Sequence, residues 1–157
     1  MDTAKRRYGE PSDDMAPGRP GGLPLTLIGY WAGGYEPGWP QVAEFVDEQW
    51  DKTERDVVAS YLEQGLALPP HLRQRGFSRC RFCGAVNGSN EKTDGSYIWP
   101  EGLAHYIRSH SVRLPVSVIR HIVTNPVSTR PRVNDDWWEA AIRSRDQEWW
   151  KTATLDS

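Results

Sequence analysis

Apolar and polar positions fall in short groups whose spacing changes along the chain, and each change marks an element boundary. Residues 1–24 hold Pro, Gly, acidic residues and the run Lys5-Arg6-Arg7, with almost nothing to bury, so a disordered or loosely attached tail is expected there. Leu25-Thr26-Leu27-Ile28-Gly29-Tyr30-Trp31 is dense in β-branched and aromatic residues and predicts a short strand, followed by a loop through Tyr35-Glu36-Pro37-Gly38. Pro40 suits the first position of a helix, and Val42, Phe45, Val46 and Gln49 then share a stripe as far as Trp50. Asp51 is placed to cap a second helix, with Glu54 completing a capping box, Val57, Val58, Tyr61 and Leu62 facing inward, and Gly65 as the stop. The two helices are expected to pack as a pair.

Further on, Ala85-Val86 and Ser96-Tyr97-Ile98-Trp99 predict the strands of a hairpin, with the turn dipeptides Asn87-Gly88 and Asp94-Gly95 between them. Pro100 then opens a helix with Glu101 in its first turn and Leu103, Ala104, Tyr106 and Ile107 inward. Pro115 to Val123 reads as another short helix, with Val116, Ile119, Ile122 and Val123 inward. Asn134 or Asp135 caps a last one, on which Trp138, Ile142 and Trp149 share a stripe flanked by Trp137 and Ala141. The sum is a small single α+β domain. Residues 25–70 supply a strand and helical pair, 71–125 a knuckle, hairpin and helices, and 126–157 a Trp-rich helix and tail.

Composition bounds this picture. A chain of 157 residues has room for one core, and an apolar fraction of 38%, against about 45–50% in ordinary domains, makes that core a small one. A formal charge of -2 gives no overall pull toward nucleic acid. There is no run of about 18 apolar residues, and the charged N-terminus has no apolar stretch behind it, so neither a membrane span nor a signal peptide is expected and the cytoplasm is the expected location. There Asn87-Gly88-Ser89 reads as a turn and not as a glycosylation acceptor.

The chemistry concentrates in the middle of the chain. Cys80-Arg81-Phe82-Cys83-Gly84 sets two thiols two residues apart with glycine directly after, the spacing by which a tight knuckle offers two sulfurs to one metal ion. His105 and His110 follow after a spacer of 21 residues, on the predicted helix. Five residues is one and a half helical turns, so both imidazoles reach one ion only if the last turn tightens or unwinds. Two sulfurs and two imidazoles complete a tetrahedral, closed set, which predicts a structural Zn2+ held by Cys80, Cys83, His105 and His110, with His121 as a reserve ligand. A redox dithiol is disfavoured because the strand-then-helix setting of such a site is missing. A hydrolytic zinc would need an open position, for example with His110 unbound and Glu101 as base.

The block Cys80-Arg81-Phe82-Cys83-Gly84, then Thr93-Asp94-Gly95-Ser96-Tyr97-Ile98-Trp99-Pro100-Glu101-Gly102-Leu103-Ala104-His105-Tyr106 and Val112-Arg113-Leu114-Pro115, resembles a group of small bacterial proteins. The likeness spans about residues 28 to 123. It implies a bacterial cytosolic protein, supports the pairing of Cys80 and Cys83 with His105 and His110, and implies no activity. Likeness to Cys2His2 fingers is weaker, since their spacer is about 12 residues, and base-reading positions do not carry over.

Two surfaces are candidates for binding. Arg73, Arg75, Arg79, Arg81 and Arg113 could meet phosphates beside the metal, with Phe77 among them. Eight tryptophans are unusual for this length, and Trp137, Trp138, Trp149 and Trp150 could present a partner surface. No phosphate loop, nucleophile elbow or metalloprotease helix occurs. The sequence therefore predicts a non-catalytic zinc-binding interaction module with a protein partner, with nucleic-acid binding through the arginines as the alternative and zinc-dependent hydrolysis as a third reading.

Overall fold

The computed structural model describes residues 24–33, 38–73, 76–125 and 132–157. The expected tail before Pro24, the loop residues Tyr35, Glu36 and Pro37, Arg75 and the start of the C-terminal segment lie outside the described residues.

Asp51 caps as its position demands. Its Oδ2 accepts from the Glu54 backbone N–H at 2.9 Å and opens helix α1, Lys52–Glu63. Glu54 does not close a capping box, because its Oε1 takes the Trp50 indole N–H at 2.7 Å and pins the preceding loop. Val58, Ala59, Tyr61 and Leu62 form the buried face, whereas Val57, expected inward, is 49% exposed at the edge of that stripe. Gly65 follows the helix because of space: a Cβ there would lie 2.7 Å from Cζ2 of Trp99 and 2.9 Å from Cβ of Lys92.

The helix expected from Pro40 to Trp50 is reduced to one 3-10 turn, Val42–Phe45. Backbone pairing with a distant segment wins there. Val46 bridges Val112, the Asp47 N–H bonds the Ser111 carbonyl at 3.0 Å, and the Arg113 N–H bonds the Phe45 carbonyl at 2.7 Å. The expected helical pair is therefore absent, and α1 packs on α2, Leu103–His110, and on α3, Val116–Thr124.

Four short strands make one mixed sheet: β1, Thr26–Leu27; β2, Leu66–Ala67; β3, Glu91–Thr93; and β4, Tyr97–Pro100. Their order is β1-β4-β3-β2, with β1 parallel to β4 and the other neighbours antiparallel. The hairpin is β3–β4, with Lys92 opposite Trp99, so Ala85-Val86 is not its first strand as expected; Val86 instead bridges back to Arg79. Pro100 ends β4 and does not open α2, because it pairs with Glu91 and the Glu101 N–H continues the ladder onto the Asn90 carbonyl at 3.0 Å.

The predicted C-terminal helix is two. Asn134 Oδ1 accepts the Trp137 N–H at 2.9 Å and starts α4, Asp135–Arg143, which stops before α5, Glu148–Lys151. Between them the Asp146 backbone bonds Leu25 and Leu27 at 2.7 and 2.8 Å, extending the sheet beyond β1 and drawing the chain out of helix. Alternation along β4 divides the core. Trp99 faces the larger cluster with Ile28, Phe45, Leu62, Ile107 and Trp150, while Ile98 faces Leu25, Leu27, Trp137 and Trp138. Both faces of the sheet are covered, as an α+β domain requires. No helix among the described residues is long and apolar enough to cross a membrane.

Asp94 joins three of these elements. Its Oδ1 accepts the Ser96 and Tyr97 N–H groups at 2.9 Å, shaping the β3–β4 turn, while Oδ2 accepts the Tyr61 hydroxyl at 2.6 Å and meets His121 Nε2 at 2.8 Å. Burial alone would raise its pKa, but the bonds from His121, Tyr61 and the turn outweigh burial and hold the carboxyl below its usual range. A depressed folded-state pKa means that the charged group stabilises the fold at every pH above the unfolded value of about 3.9, and that this is lost as pH falls through the folded value. Asp94→Asn should cost about 2–4 kcal/mol in urea unfolding at neutral pH, with the gap to wild type closing below about pH 4. A gap unchanged by acid would remove the charge from the account.

Candidate metal centre

The knuckle is closed by its own backbone. Between the bridged residues Arg79 and Val86, the Cys80 N–H donates to the Ala85 carbonyl and the Gly84 N–H to the Cys80 carbonyl, each at 2.9 Å. Gly84 takes a φ of +72°, the left-handed turn that glycine after the second cysteine supplies. The Phe82 N–H approaches Cys80 Sγ at 3.4 Å.

Helix α2 supplies the two histidines. His110 is its last residue, Ser111 is left-handed at φ 53°, and the N–H groups of Ser111 and Val112 both reach the Tyr106 carbonyl. The helix thus ends in a turn wider than an α turn, directly after His110. The two imidazole rings come to 5.1 Å between centroids.

One ligand atom from each of Cys80, Cys83, His105 and His110 lies within 4.8 Å of every other. A tetrahedral ion with metal–sulfur bonds of about 2.3 Å and metal–nitrogen bonds of about 2.0 Å holds neighbouring ligand atoms about 3.5 Å apart. Cys83 Sγ stands 3.4 Å from His105 Nε2. His105 Nδ1 lies 3.4 Å from Ser109 Oγ, the kind of second contact that orients a ligating imidazole. His110 Nε2 is buried with no hydrogen-bond partner among the described residues. Burial, and then the neighbouring His105, pushes the His110 pKa down, favouring the neutral imidazole that a metal binds. An orphaned nitrogen beside two sulfurs and a second imidazole fits a cation as fourth partner, so these four residues could hold a metal ion.

His110 therefore completes the cluster, and His121 stays with Asp94. Glu101, the base of the hydrolytic reading, is taken up elsewhere: its Oε1 accepts the Ser89 and Asn90 N–H groups at 2.7 and 2.9 Å.

The five candidate arginines separate. Arg81 binds the Ala32, Arg79 and Trp31 carbonyls through Nε and both Nη atoms, lacing the knuckle to the segment after β1. Arg113 pairs with Asp47 at 3.0 Å. Arg73 and Arg79 are exposed and use one nitrogen each on the carbonyls of Leu68 and Gly84, and Arg75 is outside the described residues. Of the candidate partner-binding tryptophans, Trp137, Trp138 and Trp150 are buried, and Trp149 is half-buried against the core. Trp150 donates its indole N–H to the Tyr30 carbonyl at 2.7 Å. Trp137, Trp138 and Trp150 are taken up in covering the sheet, whereas Trp149 keeps part of its surface exposed.

Sequence reasoning missed a second polar cluster, in which Tyr30 donates its hydroxyl to Glu91 and Arg145 Nη1 lies 3.3 Å from both Glu91 oxygens. Burial, and then the Glu91 carboxylate, raises the Tyr30 pKa well above its ordinary value, so the hydroxyl keeps its proton. Its members are too far apart in sequence for any local motif. Comparison of the chain with protein-family models, curated proteins and solved structures gives no match.

Glu101→Gln separates a cap from a base. As a cap of two backbone donors it should lose about 1–3 kcal/mol of stability in chemical unfolding while metal content stays unchanged. A variant as stable as wild type would free the carboxylate for another role.

Proposed function

We propose that this chain is a non-catalytic zinc-binding protein: the ion is structural, and the knuckle it fixes is a contact surface for a protein partner. The observation that carries the reading is the approach of all four ligand atoms to within 4.8 Å on a segment that little else holds. From Gly76 to Ser89 the only buried side chain is Cys80. Zinc suits a donor set of two sulfurs and two imidazoles, and a closed set leaves no position for a reacting water. A structural zinc supplies on the order of 10 kcal/mol, comparable with the whole net stability of a small domain.

Exposed apolar surface marks the partner. Phe77, Phe82 and Val86 are 59%, 42% and 58% exposed and lie within ten residues of one another on the knuckle. Aromatic and apolar side chains held out of the core at a rigid site suit a protein interface. A phosphate-tracking stripe is less well supported, since Arg81 is spent on carbonyls and Arg113 on Asp47.

Purified protein should carry one zinc per chain, and its cobalt form should show a four-coordinate spectrum with no exchangeable water. Cys83→Ser should lose stoichiometric zinc and most of the stability; chelation should raise hydrogen exchange in 76–89 before α4. Retention of zinc and stability by Cys83→Ser would refute the site. At about 50 mM salt no nucleic acid should bind, and binding that weakens steeply with salt would favour the rival.

A further inference from the structure

Two cavities adjoin across a shared wall of Tyr30, Trp39 and Glu91. One, of about 580 Å³, runs beneath Phe77 and the arginines 73, 79 and 81, with Leu68 and Leu103 in its lining. The other, of about 540 Å³, reaches Arg143 and Arg145. Each is of the size that takes a small organic ligand, about 300–1,000 Å³.

The charge of this cleft opposes that of the chain. Five arginines line it against one carboxylate, Glu91, in a protein of formal charge -2. Glu91 is engaged by the Tyr30 hydroxyl and Arg145, so it offers an incoming anion little repulsion. Arg73 and Arg79 keep guanidinium nitrogens beyond their single backbone bonds, and Arg143 has no hydrogen-bond partner among the described residues. Guanidinium groups of this kind grip phosphate oxygens in pairs.

The same cleft offers flat apolar surface. Tyr30 and Trp39 pack at 5.6 Å between ring centroids, and Phe77 lies exposed under the Arg79 guanidinium at 5.5 Å. Rings so placed stack a planar heterocycle. Inorganic phosphate would leave such a cavity mostly empty, and a neutral aromatic would leave the arginines unused. We infer that the cleft binds a nucleoside monophosphate, its phosphate on the arginines and its base against the aromatic wall. This goes beyond the proposed interaction surface and uses none of the metal ligands.

The test is isothermal titration of the zinc-loaded full chain with AMP, GMP, CMP and UMP, with the parent nucleosides, inorganic phosphate and a ten-nucleotide single strand as comparisons. At least one monophosphate should bind about tenfold or more tighter than either its nucleoside or phosphate, since a paired charge-assisted contact is worth at least that factor. The double variant Arg73→Gln/Arg143→Gln takes one exposed side chain from each cavity. It should weaken that binding by about tenfold or more, with melting temperature and zinc content unchanged. The inference is overturned if no monophosphate exceeds inorganic phosphate, if the double variant binds as wild type does, or if the strand binds far more tightly with steep salt dependence. Zinc content measured on the same samples keeps this outcome separate from that of the metal site.

Discussion

The constraint on which the rest of this molecule depends is the gathering of two turn cysteines and two helix histidines around one point. The knuckle contributes no apolar side chain to the core besides Cys80, and its aromatic residues point outward. Hydrophobic burial therefore does not hold it. What ties it down is mostly polar: the Arg81 N–H on the Tyr106 hydroxyl at 2.9 Å and the Arg81 guanidinium on carbonyls of the segment after β1, with the Phe82 ring 4.8 Å from that of His110. Net gains of about 1 kcal/mol from each such bond do not balance the entropy of ordering fourteen residues, at about 1–2 kcal/mol apiece. A metal-binding free energy on the order of 10 kcal/mol is of the size needed. The roof of the arginine cleft, Phe77 to Arg81, lies on the same segment.

Asp94 plays the corresponding part at the β3–β4 turn. A single buried carboxylate shapes the β3–β4 turn and receives Tyr61 from α1 and His121 from α3, so the hairpin and two helices are fixed by one group. Desolvating that charge is costly, and the cost is offset only because four donors surround it. The two centres divide the labour: Asp94 locks the sheet to the helical face, and the cysteine–histidine cluster brings the knuckle against α2.

How far this was legible in the sequence depended on range. The Asp51 and Asn134 caps, the Asp94-Gly95 turn and the spans of α1 and α3 were readable because their determinants sit within a few residues of one another, and the gathering of Cys80, Cys83, His105 and His110 was readable from the close spacing within each pair. Two of the failures share one cause, competition from distant backbone: Val46 gave up a helix to pair with Val112, and Asp146 split the last helix by bonding beside β1, whereas Val86 closed the knuckle locally against Arg79 in place of joining the hairpin. Periodicity cannot report a partner some sixty or a hundred residues away. The Tyr30–Glu91–Arg145 cluster was invisible for the same reason, as was the choice of Glu101 to cap a loop.

The tryptophans show why burial has to be settled before binding is argued. Eight indoles in a chain with a 38% apolar fraction look like surplus, and surplus suggests an interface. A mixed sheet with strands of two to four residues offers little apolar area of its own, yet both of its faces need cover. Large rings meet that need with few residues: Trp137 and Trp138 close one face, while Trp31, Trp99 and Trp150 fill the other. The tryptophan count thus measures how few apolar residues the core has to work with. What the core did not claim includes the outward aromatics of the knuckle, Phe77 and Phe82, which lie on the segment that carries Cys80 and Cys83.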